Sequence, residues 1–145
     1  IRHCDTCRNF CESDRCTICN NPRRDHSLLC IIESPADILA IEQAGGYQGR
    51  YFVLMRHISP IDGIGPEEIG IDLLREQFNS EALKEVILAT SATVEGEATA
   101  QFIAQLAKNC GKTTSRIAHG IPMGSELEYI DGGTLSRALT QRDVI

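Results

Sequence analysis

Cys4, Cys7, Cys16 and Cys19 fall as a Cys-x2-Cys pair, eight intervening residues, and a second Cys-x2-Cys pair. Each pair can bend as a tight knuckle that aims both sulfurs at one point, and two knuckles complete a tetrahedron with metal–sulfur distances of roughly 2.3 Å. The spacing therefore predicts a zinc finger holding one structural Zn2+ per chain, because four thiolates leave no open position for a substrate. Such an ion contributes on the order of 10 kcal/mol to folding. The segment needs it: residues 1–22 contain only Ile1, Phe10 and Ile18 as large apolar side chains.

A disulfide framework is the competing reading. Seven cysteines is an odd number, no secretory signal is visible, and Cys30 and Cys110 stand in apolar runs where free thiols are expected as small buried hydrophobes. This usage suits a reducing cytoplasm. Cys11 lies between the knuckles without a partner at two-residue spacing and is left out of the ligand set.

A chain of 145 residues can bury one proper core, to which the cysteine segment is a satellite. No apolar stretch approaches the ~20 residues of a membrane span. The net charge of −6 is unevenly divided: residues 1–30 carry five basic side chains against four acidic, and the remainder nine against sixteen. The acidic bulk is a poor platform for phosphate backbones and suits a basic protein partner. If DNA is touched, the arginines around the cysteine segment, Arg23 and Arg24 among them, are the candidates. Ordinary solvated charge explains them equally well.

Beyond Pro22 the pattern becomes apolar runs alternating with amphipathic segments. Strands are expected at Leu28–Ile32, Tyr51–Met55, Val86–Ala89 and Ile117–Ala118. Helices are expected from Pro35 to Ala44, over a segment with apolar positions Ile69, Leu73, Leu74 and Phe78, from a Thr93 N-cap to Gly111, and over Leu135–Leu139. This is α/β punctuation, and it predicts a parallel sheet flanked by helices, with functional residues at the carboxyl ends of the strands. Those ends offer Glu33, the loop with His57, Ser59 and Asp62, and the stretch from Ser91 to Glu97.

Several motifs in order carry a resemblance. They are the cysteine pattern, Asn21-Pro22-Arg23-Arg24, Ile32-Glu33-Ser34-Pro35-Ala36-Asp37, the run from Ile58 to Pro66, Thr93-Val94-Glu95-Gly96-Glu97 and the run from Ser115 to Tyr129. Together they closely resemble the RecR family of bacterial recombination mediators over essentially the whole chain. The resemblance implies a zinc finger over residues 1–22, a Toprim domain over 23–124, and a carboxy-terminal segment over 125–145 with a Walker B-like stretch ending at Asp131. It also implies RecO-like and RecF-like partners, help to RecA in loading on single-stranded DNA at gaps, homo-oligomers, DNA contact in the full-length assembly and a cytoplasmic location. The helix-hairpin-helix region with which such proteins begin does not occur in this sequence. Arg56 stands where the family usually has glycine, and Ser91-Ala92-Thr93 where many relatives carry Asn-Pro-Thr.

Catalytic Toprim domains resemble this one in their first-strand glutamate, here Glu33, but they add an Asp-x-Asp pair whose hard oxygens hold Mg2+ for phosphoryl transfer. Here those positions are Ser91 and Thr93, so no enzyme activity is expected. A metal-dependent nuclease or topoisomerase-like enzyme remains the alternative. Glu95 and Glu97 read as helix-start acids or, with Glu33, as an acidic surface for a basic partner; the partner surface is the preferred reading. Gly63 and Gly65 lack the third glycine of a nucleotide fingerprint and mark a tight loop. His57 and His119 read as structural histidines.

Overall fold

The computed structural model describes every residue except 1, 57, 58, 60, 92, 119 and 123. The sequence candidates His57 and His119 thus lie outside the described residues. Strands β1 (Arg2–His3) and β2 (Phe10–Cys11) pair antiparallel, and the short helix α1 (Thr17–Asn20) follows. The main sheet contains β3 (Asp25–Ile32), β4 (Gly49–Val53), β5 (Glu85–Leu88) and β6 (Thr113–Arg116) in the order β4-β3-β5-β6. All three pairings are parallel. Between the strands run α2 (Pro35–Ala44), α3 (Ile71–Phe78) and α4 (Val94–Asn109), and α5 (Gly132–Thr140) closes the chain.

The central strands carry continuous apolar runs, Leu28–Ile32 in β3 and Val86–Leu88 in β5, because both faces of the sheet are covered there. Leu29, Ile31, Phe52, Leu54, Val86 and Leu88 face α3 and α4, packing on Leu74, Phe78, Ala100, Ile103 and Ala107. The alternate residues Cys30, Ile32, Tyr51 and Val53 face α2 and its Ile38. Full burial of each such side chain stabilises the fold by roughly 1.5–3 kcal/mol. Ile18 of α1 packs into this second cluster, seating the cysteine segment on the sheet.

Two sequence expectations are corrected. The fourth strand is Thr113–Arg116, not Ile117–Ala118. It is an edge strand, so its polar residues pair with Glu85–Leu88 through the main chain and need no apolar signature, while the Ile117 side chain is half exposed. Cys110 is exposed rather than buried, because it caps the carboxyl end of α4 instead of facing the sheet.

Helix α2 begins with a capping box, in which the Asp37 carboxylate accepts from the main-chain N–H of Ser34, and Pro35 occupies its first turn. It stops at Gly45, whose φ of +79° favours glycine. Thr93 caps α4 as expected, its Oγ1 accepting from Gly96 N–H at 3.0 Å. Of the apolar loop residues, Met55 has a positive φ of 69°, so the unusual backbone after β4 sits one residue before Arg56.

Candidate functional site

The four predicted cysteines converge. Their sulfurs all lie within 4.8 Å of one another, and all four residues are buried. Cys7 Sγ and Cys16 Sγ are 3.6 Å apart, too far for a disulfide and close to the edge of a tetrahedron around a metal at thiolate distance. The main chain supports negative sulfur: Cys16 N–H donates to Cys4 Sγ at 3.3 Å, Asn9 N–H to Cys7 Sγ at 3.5 Å, and Cys19 N–H to Cys16 Sγ at 3.5 Å. Hydrogen bonds from Cys19 and Cys7 push the Cys16 thiol down, whereas its bond to Cys16 pushes Cys19 up to about 12 and Cys7 is raised as well. Several thiolates in one buried cluster repel each other, so the donor set requires a cation to deprotonate together. Cys11 stays outside, its thiol donating to the Ser13 carbonyl at 2.9 Å.

This centre is fastened to the larger domain by its ligand loop. Val53 N–H donates to the Cys7 carbonyl at 2.8 Å, covering the outer edge of β4. Gln77 Nε2 donates to the Thr6 carbonyl, and the Arg8 guanidinium lies over the Phe52 ring at 5.9 Å.

Of the two arginines singled out in the sequence, Arg23 is exposed and Arg24 is not available in the same way. Arg24 Nη1 donates to the carbonyl oxygens of Tyr47 at 3.4 Å and Gly49 at 3.2 Å, and its guanidinium pairs with the Glu42 carboxylate. Tyr51 Oη donates to the same carboxylate at 2.5 Å. Arg24 is therefore a latch between the start of β3 and the end of α2, with a side chain only 12% exposed.

The carboxyl ends of β3 and β5 frame an open cleft of about 490 Å³, lined by Glu33, Ser34, Asp37, Met55, Ala89, Thr90 and Ser91. Glu33 Oε1 accepts from the main-chain N–H of Ser91. Ser91 Oγ and Thr93 Oγ1 share a hydrogen bond of 2.9 Å, and Thr93 also caps α4. Asp37 faces the cleft while accepting from the main-chain N–H groups of Glu33 and Ser34. The three candidate glutamates divide: Glu33 lines the cleft, Glu95 is exposed on the first turn of α4, and Glu97 pairs with Arg116 at the end of β6. Asp37 was detectable in advance as the last residue of a Ser-x-x-Asp cap, the third of the helix. The Arg116 pairing carried no local signal, since its partner comes from another element.

The profile of the Toprim domain matches residues 27–118, and that of the RecR carboxy-terminal region matches residues 120–142. A protein of Hahella chejuensis (strain KCTC 2396), named recombination protein RecR, is 59% identical over 142 residues, covering 98% of this chain and 71% of that relative. The chain belongs to the RecR family. Within that RecR frame, the Toprim match begins in β3 and ends just beyond β6, and the carboxy-terminal match takes in α5. Asp131 is the N-cap of α5: its Oδ2 accepts from Thr134 N–H at 2.9 Å and its Oδ1 from the Thr134 hydroxyl at 2.7 Å. These bonds hold its carboxyl below the usual range.

Proposed function

We propose that the chain is a non-catalytic mediator of recombinational DNA repair, which binds RecO-like and RecF-like proteins and, within a larger homo-oligomeric assembly, DNA, so that RecA loads on single-stranded DNA at gaps. The single observation that carries this reading is the 59% identity to a RecR protein across nearly the whole chain. The proposed location is the cytoplasm, at the nucleoid during repair. No helix among the described residues is long and apolar enough to cross a membrane.

The cysteine centre holds Zn2+ as a structural ion in this reading, and Cys4, Cys7, Cys16 and Cys19 are its ligands. When bound, the metal would offset half of the negative charge of the four thiolates, and the loop that carries the Thr6 and Cys7 carbonyls would be held onto β4 and α3. The residues themselves do the remaining work: three main-chain N–H groups orient sulfur lone pairs, and Ile18 supplies the apolar contact.

The partner surface lies at the strand ends. Glu95 and Glu33 supply acidic character there, with Glu97 contributing less because Arg116 neutralises it. The absence of catalysis follows from the chemistry of Ser91 and Thr93, whose hydroxyls bond each other and a helix end and cannot replace a pair of carboxylates around Mg2+. Arg23 is the proposed DNA contact beside the metal centre, while Arg24 supports it by holding the segment in place.

Calorimetric titration with a RecO-like partner tests this. Glu95→Lys is expected to weaken binding without changing metal content or thermal stability; unchanged binding overturns the acidic-surface reading. Mg2+-dependent DNA cleavage by the purified chain, lost in Glu33→Gln, overturns the non-catalytic one.

A further inference from the structure

At the opposite end of the sheet from Glu33, the start of β4 meets the end of α3 and the cysteine segment around a second cleft. It encloses about 340 Å³ and is lined by Asp5, Thr6, Arg50, Leu73, Glu76, Gln77 and Ser80. Arg50 is only 9% exposed, yet its Nε has no hydrogen-bond partner. No carboxylate among the described residues pairs with it. Gln77 is fixed by the bond from its Nε2 to the Thr6 carbonyl, which leaves its Oε1 buried and unpartnered in the same region.

A buried donor and a buried acceptor left open beside one cleft are costly unless something satisfies them. We infer that this cleft is a docking site for a basic peptide segment of a partner protein. A peptide group brings a carbonyl oxygen for Arg50 together with an N–H for Gln77 Oε1. Leu73 offers apolar contact, and the exposed carboxylates of Asp5 and Glu76 at the cleft favour a lysine or arginine side chain. The same two carboxylates disfavour a phosphate, for which Arg50 alone would otherwise be a good anchor. This site is separate from the strand-end surface, so the two proposals fail independently.

The test is a titration of the 15N-labelled intact chain with N-acetyl-lysine methylamide, read at the Arg50 Nε–Hε and Gln77 side-chain amide resonances. Saturable shifts of both are expected, absent in Arg50→Met. In Glu76→Gln, an exposed change that leaves the fold intact, affinity is expected to fall about threefold, the scale of one exposed charge pair. No response in the unaltered chain, an equal response to inorganic phosphate, or unchanged affinity in Glu76→Gln overturns the inference.

Discussion

Glu33 and Ser91, 58 residues apart in the chain, are joined by a hydrogen bond from the Ser91 main-chain N–H to the Glu33 carboxylate. The bond ties the carboxyl end of β3 to that of β5, so the residue that reads as a metal ligand in a catalytic relative also braces the strand-end loop. Replacing Glu33 with alanine is expected to cost about 1.5–3 kcal/mol, the scale of a hydrogen bond to a charged group. Urea denaturation checks this; a loss below the resolution of that measurement would remove the bracing role.

Gly96 permits the same loop to pass close by. A Cβ there would clash with the Ser91 carbonyl oxygen and lie 2.5 Å from Ser91 Oγ. Gly96→Ala is expected to destabilise the protein by about 1–3 kcal/mol through overpacking. Amide shifts should concentrate at Ser91 and the first turn of α4, and changes spread evenly over the domain would contradict the local account.

The latch of Arg24, Glu42 and Tyr51 makes stability depend on acid. Hydrogen bonding from Arg24, then from Tyr51, holds the Glu42 carboxyl below its ordinary value. A depressed carboxyl contributes stability that is fully present above the unfolded value of about 4.3 and is lost as pH falls through the lower folded value. Denaturation midpoints measured from neutral pH down to about pH 3 should therefore fall less in Glu42→Gln than in the unaltered chain. Arg24→Met is expected to cost about 3 kcal/mol at neutral pH because it strands a half-buried carboxylate, whereas Arg23→Glu should leave stability within ~0.5 kcal/mol.

Metal content discriminates among the cysteines. Elemental analysis is expected to give one zinc per chain, unchanged in Cys11→Ser and lost in Cys16→Ser. Chelation should be accompanied by proton uptake at the freed thiolates, reversed on metal rebinding, and should lower the melting temperature, since the loop bonded to Val53 and Gln77 loosens with it. A chain that loses metal in Cys11→Ser would have a different ligand set.

Sequence alone determined the features that depend on local chemistry or on strong periodicity. Two Cys-x2-Cys pairs can hardly do anything but converge, and Pro35 to Gly45 carries its own start and stop. Continuous apolar strands demand helices on both faces. Tertiary structure decided what depends on neighbours distant in the chain. It moved β6 onto polar residues, because an edge strand is held by main-chain bonds to β5 rather than by apolar burial. It turned Arg24 from a candidate DNA contact into a latch and paired Glu97 with Arg116, because the partners of long charged side chains are set by packing. It also left Arg50 Nε and Gln77 Oε1 buried without hydrogen-bond partners beside one cleft, a condition created by docking the cysteine segment against β4 and α3 and invisible in any stretch of sequence.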